Sequence, residues 1–272
     1  MKEHFYSDRS IYYRTNDLRP DRTTLVLIHG LSGSSSAWAE FETAWQEEYS
    51  VVSMDLRGHG KSLKPFLYKD YELEKIVDDI DALLDHLNVT SYVVLSQSYA
   101  TLLAVLLLRH RPEGARAAVF LSSVYGIHSM ILTRVARAFI HLCALVACMF
   151  RYSTNAGGHI DYANFRHAGD WNLRRILHDI PNTSWHVWFY CLDHAYRKDL
   201  DTLWGDIRIP TLIVHGRRDT ISSIKFAERL GKLLPQSTFV VLENASHVFP
   251  LTHFVEANRP ISEYLRDLRR TR

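Results

Sequence analysis

Cysteine is scarce in this sequence of 272 residues, which contains only three cysteines. Cys143, Cys148 and Cys191 have no metal-binding spacing and cannot all pair with one another, so neither a zinc site nor a disulfide framework is indicated. The 15 histidines form no H-E-x-x-H motif and no Cys/His cluster. We therefore predict a protein without a bound metal.

An excess of charge of one sign is also lacking. The 32 basic and 30 acidic residues leave a net charge of +2, so no strong field favours a nucleic-acid partner. The N-terminal segment MKEHFYSDRS is charged and has no apolar core of the kind found in signal peptides. Together with the few cysteines, this predicts a reduced, cytoplasmic location. The sequence does not indicate an oligomeric state.

Long apolar runs are missing as well. The run Ala138–Phe150, interrupted only by His141, is shorter than the ~18–20 residues that a bilayer-spanning helix needs. We interpret it as a buried helix. Arg134 and Arg137 precede the run, which leaves weak contact with a membrane surface as the alternative interpretation.

What the sequence does contain is a series of short runs rich in valine, leucine and isoleucine, typical of strands buried on both faces of a parallel sheet. These runs are Thr23–Gly30, Tyr49–Asp55, Ser91–Ser96, Ala117–Ser123, Pro210–Gly216 and Ser237–Asn244. Helical spacing between them, as in Tyr71–Leu87, predicts a doubly wound, mostly parallel α/β sheet. The N-terminal HFYSDRSIYYRT predicts a leading antiparallel pair.

One interval breaks this alternation, because no strand pattern occurs between Val124 and Ile207. Helical and aromatic segments fill it, with a loop around Gly157 and Gly158. We predict a helical cap over residues 125–207, inserted into a core that comprises residues 1–124 and 208–272.

A candidate nucleophile lies in the segment YVVLSQSYATLLAVLLLRH, where Ser98 occupies the turn between a predicted strand and a predicted helix. A serine at such a turn is often only a helix cap. However, Asp219 and His247 each follow a later strand, where the carboxyl ends of parallel strands meet. A base oriented by a carboxylate is what a serine hydroxyl needs to become nucleophilic, so we predict a catalytic Ser98–His247–Asp219 triad.

Attack on a carbonyl places negative charge on its oxygen, which backbone amides must stabilise. Tyr99 directly follows the candidate nucleophile at the start of a helix and supplies one predicted amide. The second is predicted from Leu31, with Ser32 as the alternative, since Gly30 and Gly33 allow the backbone there to approach a ligand closely.

With these motifs in their order, the chain resembles the α/β-hydrolase superfamily, in particular its cap-bearing esterase, lipase and lactonase branch. The resemblance covers essentially the whole chain and depends on His29–Ser34, Asp55–Ser62, the elbow at Ser98, His215–Asp219 and Ala245–His247. It implies a hydrolase with the triad order Ser, Asp, His. It also implies that Arg57, Gly58 and His59 form a supporting turn, with His59 structural rather than catalytic.

The elbow departs from that family's G-x-S-x-G pattern, because Ser96 and Ala100 replace both glycines. The glycines prevent clashes where the strained turn crosses neighbouring backbone. Serine and alanine are the next smallest residues, so we expect the elbow to form with modest crowding.

The predicted cap is rich in apolar and aromatic side chains, which favours a small-molecule acyl substrate: a lipophilic carboxylic ester, thioester or lactone, cleaved without a cofactor. The predicted substrate-binding residues are Ser32, Gln97, Phe139, Leu142, Trp185, Trp188 and Val248. Two alternatives remain. One is a C–C bond hydrolase, for which Arg166, Arg174 and Arg175 are candidate substrate-binding arginines. The other is a receptor that binds a ligand without turnover.

Overall fold

A computed structural model of the protein describes residues 1–125 and 131–270. An eight-stranded sheet with the order β1-β2-β4-β3-β5-β6-β7-β8 forms its centre. The strands are β1 (Lys2–Tyr6), β2 (Ile11–Thr15), β3 (Thr24–Ile28), β4 (Ser50–Met54), β5 (Tyr92–Gln97), β6 (Ala115–Leu121), β7 (Thr211–Gly216) and β8 (Ser237–Leu242). The pairs β1–β2 and β2–β4 are antiparallel, and the six strands β4, β3, β5, β6, β7 and β8 are parallel to one another. The predicted mostly parallel sheet and its leading antiparallel pair are confirmed.

Helices flank the sheet and also fill the interval between β6 and β7. The flanking helices are α1 (Ala39–Trp45), α2 (Leu73–His86), α3 (Ala100–His110), α8 (Ile224–Leu233), α9 (Phe249–Thr252) and α10 (Phe254–Arg270). Between β6 and β7 lie α4 (Ile131–Cys148), α5 (Leu173–Thr183), α6 (Trp185–Arg197) and α7 (Asp201–Trp204). Short 3-10 helices occur at Ser35–Trp38, Tyr68–Tyr71 and Tyr162–Phe165.

Strand β3 shows why the central strands are apolar without alternation. Val26 and Ile28 belong to the core that also contains the buried residues of α2 and α3. Leu25 and Leu27 point to the opposite face, into the core shared with α1 and α10. Because successive side chains of a strand point to opposite faces, a sheet covered on both sides needs an apolar residue at every position. Each such fully buried side chain stabilises the fold by about 1.5–3 kcal/mol.

The segment between β6 and β7 lies against loops at the carboxyl ends of several strands. Ser36, in the 3-10 helix that follows β3, donates a hydrogen bond to the Ile160 carbonyl at 2.9 Å. His159 contacts Asp55, which follows β4, with 2.8 Å between Nε2 and Oδ2. These contacts place the segment over the edge of the sheet where the candidate catalytic residues emerge. The division into core and cap at residues 125 and 207 stays a prediction.

Candidate active site

The elbow at Ser98 connects β5 directly to α3. Ser98 has a φ of 53°, in the left-handed region that few residues other than glycine adopt. Its amide donates to the Leu121 carbonyl at 2.9 Å, which attaches the strained turn to the adjacent strand β6. Ser96 and Ala100, which replace the two glycines, are both fully buried. The elbow therefore forms around serine and alanine side chains, and the φ of Ser98 stores about 1–3 kcal/mol of backbone strain.

Three side chains from separate loops form a hydrogen-bonded chain. The Ser98 Oγ lies 2.7 Å from His247 Nε2. His247 Nδ1 lies 2.8 Å from Asp219 Oδ2. The other carboxylate oxygen of Asp219 accepts hydrogen bonds from the amides of Ile221 and Ser222, at 2.9 and 2.7 Å. A buried carboxylate held in this way can fix the tautomer of the imidazole, which can then accept a proton from the hydroxyl.

The loop that carries His247 approaches β7 very closely. Gly216 ends β7, and a Cβ at this position would lie 2.4 Å from the Ala245 carbonyl oxygen. The His247 carbonyl itself accepts a hydrogen bond from Ser122 at 2.9 Å and from the Gln97 side chain at 3.4 Å. Glycine at the end of β7 thus allows the backbone of this loop to approach the sheet while its imidazole reaches Ser98.

The predicted oxyanion residues lie beside the candidate nucleophile. Leu31, Ser32 and Tyr99 line the same cavity as Ser98. A turn closed by the Gly33 amide and the Gly30 carbonyl, 3.1 Å apart, shapes the loop after β3. The turn uses the amide of Gly33. The predicted amide donors, Leu31 and Ser32, lie between the two ends of the turn.

A cavity of about 760 Å³ opens in front of Ser98 and His247. Of the predicted substrate-binding residues, those that line it are Ser32, Gln97, Trp188 and Val248. Most of the remaining wall is apolar, and a large part of it comes from the segment between β6 and β7. Its apolar side chains include Ala136, Ile140, Ile176, Ile180, Leu192 and Ala195.

Comparison with known proteins agrees with this architecture. The profile described as "Alpha/beta hydrolase family" matches residues 25–259. The chain belongs to the alpha/beta hydrolase family. One relative is 3-oxoadipate enol-lactonase 2 from Acinetobacter baylyi, 24% identical over 228 residues, which cover 84% of this chain and 83% of that protein.

Two solved structures extend the comparison. A thermophilic esterase from Thermogutta terrifontis has a TM-score of 0.74 and 20% identity, over 95% of this chain and 93% of that one. The enol-lactonase from Burkholderia xenovorans LB400 has a TM-score of 0.72 and 19% identity, over 98% and 99% of the two chains. At this identity the two structures show a shared fold. The family match and the hydrolase relatives together support a hydrolase enzyme.

Three residues predicted to contact substrate lie elsewhere in this alpha/beta hydrolase. The side chains of Phe139, Leu142 and Trp185 are exposed and do not line the cavity. On α4, the inward side chains at this level are those of Ala136 and Ile140, so Phe139 and Leu142 point outward. In α6, Trp188 takes the place at the cavity that was also expected for Trp185.

Asp170 is a cavity residue that the sequence analysis missed. Its carboxylate accepts hydrogen bonds from the Thr220 amide at 3.0 Å and from the Thr220 hydroxyl at 2.7 Å. It also accepts one from the Val248 amide at 3.4 Å. Thr220 follows the acid Asp219, and Val248 follows the base His247. One carboxylate between β6 and β7 therefore contacts the residues next to both the acid and the base.

The surroundings of Asp170 stabilise its ionised form. Burial alone would raise the pKa of the Asp170 carboxyl, but the hydrogen bonds from Thr220 hold that pKa below its ordinary value. The Asp170 carbonyl accepts a hydrogen bond from Arg175 at 2.9 Å. Arg175 in turn pairs with Asp179 at 2.7 Å. A lone aspartate in a loop carries no motif, which is why its role could not be predicted.

No group of three or more His, Cys, Asp or Glu side chains is arranged to hold a metal ion in the part of the chain that the structure describes. The carboxylate nearest the loop after β3 is instead hydrogen-bonded to backbone amides. Asp55 accepts hydrogen bonds from the amides of Ser35 and Lys61 at 2.6 and 2.7 Å. It thereby braces the loop that carries Leu31.

Two histidines beneath the site are held in the neutral form. His29 accepts a hydrogen bond from the Leu56 amide at Nε2, 3.0 Å away, while its Nδ1 lies 2.7 Å from the Gly30 carbonyl. Burial lowers the pKa of His29, and burial lowers the pKa of His59 to about 3. The Nδ1 of His59 lies 3.0 Å from the Arg57 carbonyl, and His59 does not line the cavity. Its structural role stays a prediction.

These histidines predict a loss of stability in acid. In the unfolded chain each has its ordinary pKa of ~6.5, so the unfolded state binds more protons once the pH falls below that value. Stability is therefore complete above about pH 6.5 and declines as the pH falls towards the folded-state pKa. For His59 alone, whose pKa is lowered to about 3, the decline at about pH 4.5 is roughly 2–3 kcal/mol.

Urea unfolding at about pH 7.5 and about pH 4.5 measures this effect, with a His59→Gln variant as the comparison. We expect the free energy of unfolding of the variant to change less between the two pH values than that of the unchanged protein. An identical change in both proteins would show that His59 does not contribute.

Proposed function

We propose that the protein is a serine hydrolase that cleaves a lipophilic carboxylic ester, thioester or lactone through an acyl-enzyme. The observation that carries this proposal is the Ser98–His247–Asp219 hydrogen-bonded chain at the wall of a large, mainly apolar cavity. The family match and the lactonase and esterase relatives support the same class of reaction.

In the first half of the reaction, Ser98 Oγ bonds to the acyl carbon while its proton passes to His247 Nε2. Asp219 stabilises the imidazolium, and the amides of Leu31 and Tyr99 stabilise the oxyanion. When the tetrahedral intermediate collapses, the bond to the leaving oxygen or sulfur breaks, and that atom takes the proton from His247.

In the second half, water attacks the acyl-enzyme and gives its proton to His247. Collapse of the second intermediate releases the acid and returns the proton to Ser98 Oγ. With a lactone, the acid and the alcohol leave as one hydroxy acid. No oxidant, metal or organic cofactor enters this sequence.

The cavity wall favours an apolar acyl group. Apolar side chains from α4, α5 and α6 and from the loops after the strands form this wall, and each methylene buried there contributes about 0.8 kcal/mol. A pocket with this lining offers few groups for a sugar or a highly charged metabolite.

The alternative of C–C bond hydrolysis gains less support from the arginines considered for it. Arg175 lines the cavity, but its guanidinium is already paired with Asp179. Arg166 pairs with Glu40 on the surface, and Arg174 is exposed. None of these three side chains presents an unpaired charge to a substrate carboxylate inside the cavity.

A p-nitrophenyl ester series from acetate to laurate tests the substrate assignment. We expect kcat/KM to rise up to about fourfold per methylene through the medium chain lengths, as apolar burial predicts. Ile140→Trp, which fills the cavity from α4, should shift the preference to shorter chains. Leu145→Trp on the outer side of the same helix is the matched control and should leave the preference unchanged.

Activity confined to acetate would refute the lipophilic pocket. Labelling of Ser98 by a fluorophosphonate probe without hydrolysis of any ester would favour the C–C hydrolase or the receptor instead.

A further inference from the structure

The outer side of α4 carries an apolar surface that no described residue covers. Five side chains, spaced three or four residues apart, form the α4 stripe: Val135, Phe139, Leu142 and Val146 on the helix, and Met149 directly after it. Their exposed fractions are 67, 64, 58, 45 and 79%. At 1.5 Å per residue the stripe is ~21 Å long. Contiguous exposed apolar surface of this kind marks an interaction site more often than isolated exposed residues do.

The inner side of the same helix is apolar too. Ala136 and Ile140 line the cavity, and Ala144 is buried. On this side α4 packs against α6. A helix that is apolar all round is normally covered all round. Here the protein covers the inner side, while the outer side faces solvent.

The charges near the α4 stripe favour an anionic lipid surface over a second copy of the protein as its binding partner. Residues 126–160 contain no aspartate and no glutamate, whereas they contain three arginines. Arg151, two residues after Met149 at one end of the stripe, is exposed. Apolar side chains with a cation at one end and no acidic residue in the same segment fit an anionic lipid surface, where an arginine near the headgroups contributes to attraction. A second copy of the same surface would instead bring like charges together across a twofold interface.

We propose that α4 docks on the surface of a bilayer that contains anionic lipids, lying parallel to it with the α4 stripe at the boundary between headgroups and acyl chains. In the part of the chain that the structure describes, no helix is long and apolar enough to cross a bilayer, so this contact is peripheral. Ala136 and Ile140, on the other side of the same helix, line the cavity. Docking therefore places a helix that forms part of the cavity wall on the membrane surface. The docking surface is independent of the proposed ester chemistry.

Co-sedimentation with vesicles tests the proposal. We expect the protein to sediment with vesicles of equal parts phosphatidylcholine and phosphatidylglycerol, and much less with pure phosphatidylcholine. The double variant Val135→Ser/Met149→Ser should weaken binding to the anionic vesicles about tenfold or more. Arg151→Gln should weaken it about fivefold, and added salt should abolish the difference between this variant and the unchanged protein.

The matched control is Phe5→Ser/Val255→Ser, which removes two exposed apolar side chains outside the β6–β7 segment and should bind like the unchanged protein. Thermal unfolding midpoints verify that all variants are folded. Absence of vesicle binding at low salt would overturn the proposal. So would equal weakening by the control, or a self-associated protein that the stripe variant dissociates without any vesicle binding.

Discussion

Replacing Ser98 with alanine is expected to lower kcat by ~10³-fold or more while the protein stays folded. The reason is that no other hydroxyl is bonded to His247 Nε2 in the described structure, where Ser98 Oγ lies 2.7 Å away. The substitution should not change the backbone strain at this position, since alanine would keep the same left-handed φ. Steady-state hydrolysis of the preferred p-nitrophenyl ester measures the effect.

Ser96→Ala is the matched control for this substitution. Ser96 is buried two residues earlier, in β5, and its Oγ has no hydrogen-bond partner among the described residues. Its removal should change kcat only a few-fold. His247→Ala should be as damaging as Ser98→Ala, and the double variant no worse than either, because the two side chains act in one step. Near-normal turnover by purified Ser98→Ala would remove this serine from the mechanism.

Replacing Asp170 with alanine is expected to lower kcat by ~10–100-fold, although Asp170 belongs to neither the predicted triad nor the predicted oxyanion loop. Its carboxylate joins Thr220 to Val248, so its loss releases the residues that follow Asp219 and His247. A displacement of about 1 Å between acid, base and nucleophile is enough for an effect of this size. The decrease should appear in kcat and in the rate of fluorophosphonate labelling.

Two further variants make this prediction specific. Asp170→Asn keeps the shape and one acceptor oxygen, and should retain more activity than Asp170→Ala. Asp199→Ala removes an exposed aspartate from the same β6–β7 segment and should have little effect. If Asp170→Ala raised KM and left kcat unchanged, Asp170 would be a substrate contact rather than a positioning residue.

Two features could be predicted from local sequence patterns. They are the sheet itself and the proximity of Ser98, Asp219 and His247. Strands buried on both faces have no polar positions, as β3 illustrates, and the carboxyl ends of parallel strands share one edge. Residues that follow those strands must therefore lie near one another. The prediction needed no information about side-chain orientation.

The cavity wall could not be anticipated in the same way. Helix α4 is apolar on both sides, so its sequence does not distinguish the face of Phe139 from the face of Ile140. Only packing against α6 decides which side turns inward. Asp170 was missed for a different reason, since its hydrogen bonds to Thr220 and Val248 join positions far apart in the chain.

The distance along the chain between the candidate catalytic residues affects how the protein becomes active. Ser98 and His247 are separated by 149 positions, and β6 lies between the strands that precede Ser98 and Asp219. Contacts of such high sequence separation form only after large loops have closed, which is slow compared with the formation of helices. During refolding, we therefore expect the helical circular dichroism signal to return before turnover does. Recovery of activity then indicates that strands β5, β6, β7 and β8 have all paired.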